Sequence, residues 1–425
     1  MTRAILIVVV ISFICCVTNF VPISAAASGL SFVLLPVLLF KTPMIPRYLL
    51  WLGAFFIFSF ISVMTYDPGA LLEYGFFRYD GNFIVSYIPL FLIPLLSYNI
   101  DVDKVIRYFL LITTLVNGLA FIVTVAMFHG HLSAAQSFGG LFIARNAAGG
   151  FFSFVFTLAF INWRKERTII SASLIFINLI YLLATFSRGS LLGIVFSLCC
   201  FFFLSGKTRG WFAFISIFIV LMLEARSSLQ HFDVYRKLNY ENRKEAYLLG
   251  GAGVDGKTAN VMLRLYYNWP SGIDLFLHSP IVGGGLGAVN DKPFQFKSKI
   301  DFVNYNGQKR KVYNDGHAHN SYFHIAGEEG IVGIVLFIGF VCSMYGFINK
   351  LDDETYFMPK YSLLLYLLNI ACMSLTEHRF TTPSNALPLV LLMVIVSARV
   401  NYHRQAQNKP APAYAPELPE KFLFN

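Results

Sequence analysis

The sequence predicts an all-α, polytopic membrane fold of about twelve transmembrane helices with one large, partly helical loop late in the chain. Composition is the first observation. Of 425 residues, 56% are hydrophobic and 13% charged, where a soluble protein carries about 25% charged residues, and mean hydropathy is +0.62. The second is that the apolar residues fall in blocks close to the roughly 20 residues a helix needs to cross a bilayer. The third is that these blocks are continuous. Outer-membrane barrel strands would instead alternate over about ten residues.

Taken in order, the predicted spans are 4–20, 22–40, 48–66, 83–99, 105–127, 147–163, 168–186, 189–205, 210–224, 331–348, 361–376 and 384–399. The first, "AILIVVVISFICCVTNF", has the look of a signal peptide but no convincing cleavage site before the next block, so it is expected to be a retained helix. Basic residues separate alternate spans: Lys41 and Arg47, Lys104 and Arg107, Arg164, Lys165 and Arg167, Lys207 and Arg209, Lys350 and Lys360, then Arg399. The chain thus divides into helices one to nine (1–224), a polar loop (225–330), helices ten to twelve (331–404) and a Pro-rich, disordered tail (405–425). All six cysteines lie in apolar blocks and show neither a disulfide framework nor zinc-ligand spacing.

Lysine and arginine in short loops mark the cytoplasmic side. With the N-terminus inside, sixteen of the 33 fall on that side, four in short outer loops, and thirteen in the long loop, which is exempt by its length. Both termini are therefore expected in the cytoplasm and the 225–330 loop outside. The four exceptions are Arg78, Arg145, Arg188 and Arg379, in "FFRYDGN", "IARNAAGG", "TFSRGS" and "TEHRFTTP". Any single one reads equally as a side chain snorkelling to lipid headgroups. Four at one face suggest a polyanion site, because the guanidinium fork suits phosphate oxygens. Glu377 beside Arg379 suggests an ion pair shaping that site.

Within the loop, "ANVMLRLYYNWPSGIDLFLHSP" reads as helical in part, carrying Arg264 and Trp269, with Pro270 as a kink or interruption. The glycine-rich "IVGGGLG" lacks the Lys-Ser/Thr of a nucleotide loop. Then comes "NDGHAHNSYFHIAGEEGIVG", with His317, His319 and His324. Asn320 is a good N-cap for a short helix over 321–328, which "GEEG" ends before span ten. His319 then precedes a helix N-terminus, whose positive end disfavours imidazolium and keeps a neutral base available. No Cys or carboxylate cluster in the stretch completes a ligand set, so no metal is expected. Glu328 and Glu329 read equally as groups orienting a histidine or arginine and as the end of the short helix.

"TFSRGS", Arg264-x4-Trp269, "HSPIVGGGLG" and "HAHNSY…GEEGIVG" together resemble the O-antigen ligase and polymerase superfamily of bacterial inner-membrane glycosyltransferases. The resemblance implies about twelve helices, a large periplasmic loop, and transfer of a glycan from undecaprenyl pyrophosphate to an acceptor hydroxyl at the periplasmic face. It implies Arg188, Arg264 and His319 as catalytic residues. Arg78, Arg145, His317, Asn320, Trp269, Arg379 and Glu377 are the expected substrate-binding set. The acceptor expected is lipid A-core, in keeping with the basic loop; a polymerase extending the glycan on its carrier is the alternative, then a protein oligosaccharyltransferase. A transporter would place charged residues mid-span and in matching halves, and neither is seen. No cofactor or nucleic-acid partner is expected; membrane lipids surround the chain.

Overall fold

The structure is a computed structural model that describes residues 2–18, 24–40, 45–66, 68–69, 81–132, 137–142, 144–204, 269–291, 303–305, 308–310 and 318–407. Among the described residues its regular structure is helical apart from one antiparallel hairpin, Val303–Tyr305 paired with Gln308–Arg310, in a stretch where the sequence shows no periodicity. Helices occupy eleven of the twelve predicted segments; the segment 210–224 lies outside the described residues. They are α1 (Thr2–Cys15), α2 (Ala26–Phe40), α3 (Arg47–Tyr66), α4 (Gly81–Tyr87, continued as a 3-10 helix over Ile88–Leu95), α5 (Val102–Met127), α6 (Arg145–Glu166), α7 (Ile169–Ala184) and α8 (Arg188–Leu204). After the loop helix α9 (Trp269–His278) come α10 (Ser321–Asn349), α11 (Asp353–Met373) and α12 (Pro383–Gln407). Five of them, α3, α5, α6, α10 and α12, are long and apolar enough to cross a membrane. The architecture is that of a multi-pass membrane protein.

Two helices form the centre. Leu389 to Val396 of α12 are each 0% exposed, as expected of a helix that is apolar on every side. α6 is buried over nearly its whole length from Ala148 to Asn162. By contrast, Leu115, Leu119 and Ile122 of α5 are 66–70% exposed and form a lipid-facing stripe. Small residues set the spacing at the centre, as is usual where lipid offers no hydrophobic drive between helices. A Cβ on Gly149 would collide with Ser187, and one on Gly150 with Asn385, so the "AAGG" of α6 brings it against the start of α8 and the first turn of α12. The Tyr366 hydroxyl of α11 closes this junction by donating to the Asn385 carbonyl at 3.0 Å.

Pro270 lies in the first turn of α9, where its missing N–H has no intrahelical partner to lose; residues 259–268 of the predicted helical stretch lie outside the described residues. The short helix expected after the Asn320 cap is present and ends at Gly330, whose φ of 60° and ψ of −163° are non-helical; span ten follows, and the two together are α10.

Candidate functional site

The site is built where three helices begin. α6, α8 and α10 all start against the segment 374–382 that joins α11 to α12. Asn320 caps α10, its side-chain oxygen accepting from the N–H of Tyr322 at 2.9 Å and of Phe323 at 3.1 Å. The same side chain donates to the Leu375 carbonyl at 2.9 Å, and Ser321 N–H donates to the Ser374 carbonyl at 2.9 Å. One residue thus both starts the helix and ties it to the 374–382 segment. His319, directly before the cap, has a φ of 47°. That left-handed conformation is uncommon outside glycine, although His is among the residues that tolerate it, and here it turns the imidazole toward the segment.

The His319 ring meets Glu377, Nδ1 to Oε2 at 3.0 Å. The other carboxylate oxygen, Oε1, accepts from the Asn146 amide at 3.0 Å. A carboxylate accepting at Nδ1–H leaves the basic lone pair of the ring on Nε2. Glu377 is 4% exposed, and His319 is partly exposed at the rim.

Arg379 lies deeper, 2% exposed. Its guanidinium donates to the Asn146 carbonyl, to Asn385 Oδ1 at 3.1 Å and to Ser187 Oγ at 3.4 Å. Glu377 and Arg379, expected as an ion pair, are joined through Asn146, whose side chain meets the glutamate and whose carbonyl meets the arginine. Arg379 therefore pins the starts of α6, α8 and α12 together. The neighbours of its partners are the predicted arginines: Arg145, partly exposed, opens α6 and Arg188, exposed, opens α8. Helix N-termini carry partial positive charge, so three of them with two arginines make this end of the bundle attractive to anions.

Trp269 opens α9 and packs edge-on against Phe323 of α10, ring centroids 5.6 Å apart. Arg78, Arg264 and His317 lie outside the described residues. The glutamate pair resolves toward α10 itself. Glu328 accepts from Gly287 N–H at 3.1 Å and meets His324 Nε2 at 3.2 Å, while its carbonyl accepts from Gly285 N–H at 2.8 Å. The glycine-rich bend is thus clasped to the α10 break, and Glu328 orients His324.

Four participants were not singled out in the sequence: Asn146, Ser187, Asn385 and His378. All are neutral polar residues or sit unmarked inside motifs chosen for a neighbour. His378 matters most. Its ring centroid lies 5.8 Å from that of His319, and its Nδ1 is 3.9 Å from Glu377 Oε2. His319, Glu377 and His378 offer ligand atoms within 4.8 Å of one another. The expectation of no ligand set is corrected on this point. Folding assembles a His-Glu-His group from segments 58 residues apart, which no spacing rule detects.

Residues 172–338 match the family model described as O-antigen ligase. This bears out the resemblance read from the sequence over that stretch, which contains Arg188, Arg264, Trp269, His317 and His319. A search of curated proteins finds no match.

Proposed function

We infer that this chain, whose residues 172–338 match the family model described as O-antigen ligase, is a membrane glycosyltransferase that moves a glycan from undecaprenyl pyrophosphate to an acceptor hydroxyl of lipid A-core at the periplasmic face. The observation that carries the reading is the His319–Glu377 pair, 3.0 Å apart, set among three helix N-termini. In this scheme the acceptor hydroxyl gives its proton to His319 Nε2 as its oxygen attacks the anomeric carbon. The anomeric C–O bond to the carrier breaks, the glycosidic bond forms, and the pyrophosphate leaves on the lipid. Arg188 and Arg145, with Arg264 and Arg78, offset the charge that develops on the leaving group. His317 and Trp269 complete the substrate surface, while Asn320, buried as the α10 cap, holds His319 in place. In this scheme His319 and Glu377 supply the base without a metal, and chelation separates it from one in which His319, Glu377 and His378 hold a metal.

In the same reading the twelve spans place both termini and residues 405–425 in the cytoplasm, and residues 225–330 in the periplasm of a bacterial inner membrane. A cysteine placed at Asn306 is expected to react with a membrane-impermeant maleimide in intact cells, and one at Ser205 is not. The reverse pattern inverts the topology.

A deletion strain tests the reaction. Loss of polysaccharide from lipid A-core, with long chains accumulating on the carrier, is the expected phenotype; single repeats on the core would instead identify a polymerase. Arg188 is tested separately. Arg188→Ala is expected to raise the KM for the lipid donor and to lower kcat, because the arginine holds phosphate in the ground state and its contact strengthens as charge develops on the leaving group. Arg188→Lys should recover only part of the loss, since an ammonium cannot reproduce a bidentate contact. Unchanged kinetics in Arg188→Ala would remove this arginine from the donor site.

A further inference from the structure

At the end of the bundle opposite His319 there is a cavity of about 380 Å³. α12 runs from Asn385 at the candidate site to Arg404 at this cavity, about 28 Å at 1.5 Å per residue, so the two lie about the thickness of a bilayer's hydrocarbon core apart. Its walls include Tyr48 and Phe347, Gly346 borders it, and Arg47, Lys350 and Arg404 supply three positive charges from the ends of α3, α10 and α12. Among the described residues, no carboxylate lines it.

Other basic side chains at this face have partners. Arg107 pairs with Glu166 at 2.7 Å, Lys165 pairs with Asp103, and Lys360 pairs with Asp353 at 2.8 Å, while Lys104, Arg164, Arg167 and Arg399 lie over aromatic rings. Among the described residues, no ion pair engages Arg47, Lys350 or Arg404. The two acids that follow Lys350 in the sequence are engaged elsewhere, Asp352 in capping α11 through Thr355 N–H and Asp353 with Lys360. Like charges held around one hollow repel unless an anion enters. The surrounding surface is apolar and exposed: Ile45 is 46%, Leu50 58%, Trp51 38% and Tyr345 37% accessible. Tyr and Trp at such a rim are typical of a membrane–water interface.

From these features we propose that the cavity between Arg47, Lys350 and Arg404 is a binding site for the phosphate headgroup of an anionic phospholipid, whose acyl chains lie along the exposed faces of α3 and α10. The committed ligand is a lipid, because the cavity opens onto a lipid-facing surface; the test separates it from soluble phosphates.

The full-length protein, purified in detergent, would be exposed to equal phosphatidylglycerol and phosphatidylcholine and its bound lipid counted by native mass spectrometry. Wild type should retain phosphatidylglycerol preferentially. Each of Arg47→Gln, Lys350→Gln and Arg404→Gln should weaken that preference roughly fivefold, the effect of about one interfacial charge, and the triple variant should abolish it. Gly346→Leu, at a position where an added Cβ meets nothing within 4 Å, should fill the hollow and lose the preference with all charges intact. Arg107→Gln removes an already paired charge at the same face and should change nothing. A triple variant that keeps the wild-type preference would overturn the site. So would an Arg107→Gln variant that loses as much as the others, or displacement of the lipid by sn-glycerol 3-phosphate at matched concentration, which would identify a soluble phosphate as the ligand.

Discussion

Replacing His319 by alanine is expected to lower glycan transfer roughly 10²–10⁴-fold, the range lost with a general base, while donor binding stays close to wild type. A neutral imidazole contributes little to holding a pyrophosphate, so the loss should appear in kcat and not in KM. The fold should survive, because the α10 cap is made by Asn320 and not by His319. The backbone at φ 47° costs alanine about 1–2 kcal/mol. His319→Asn, which tolerates that conformation, separates the two effects: it should be as inactive as alanine yet melt at the wild-type temperature. The neighbouring histidine discriminates the base role from a metal role. A base needs His319 and its carboxylate, so His378→Ala should keep most of the activity, and chelator should leave wild type unaffected. Activity lost on chelation and restored by zinc, with His378→Ala as inactive as His319→Ala, would replace the general base by a metal held by His319, Glu377 and His378.

Glu377→Gln is expected to have the second-largest effect, again about 10²–10⁴-fold in rate if Nε2 is the proton acceptor. A carboxylate only accepts hydrogen bonds, so its contact with Nδ1 at 3.0 Å keeps the proton there and the lone pair on Nε2. A glutamine amide in the same place is able to donate to Nδ1. That favours the tautomer with its proton on Nε2, which has no lone pair for an incoming hydroxyl. The Asn146 contact survives through the remaining carbonyl oxygen, so the local fold should hold. The readout is kcat with unchanged donor KM; a Glu377→Gln enzyme of near wild-type rate would show that Glu377 does not set the tautomer.

Much of the scaffold was legible because its cause is local. Helix formation in lipid follows from long apolar runs whose backbone groups must bond within the segment, and these runs are visible in one dimension. So was the Asn320 cap, since capping requires a particular side chain within three residues of the amides it satisfies. The glycine bend after His278 was legible as a turn, but not as a clasp, because its partner Glu328 is 41 residues away from Gly287.

By itself, then, the sequence determined the helical membrane character, most segment positions, the capped start of α10 and the identity of His319 as the histidine before that cap. Only the tertiary structure decided what His319 faces. Glu377 and His378 arrive from the segment after α11, Asn146 from the start of α6, and Arg379 is drawn inward to join Ser187, Asn146 and Asn385 where its motif suggested an outward charge. The physical reason is the close approach of helices at Gly149 and Gly150. It brings helix ends distant in sequence within hydrogen-bond reach, and packing of that kind leaves no periodic signal in the residues it joins.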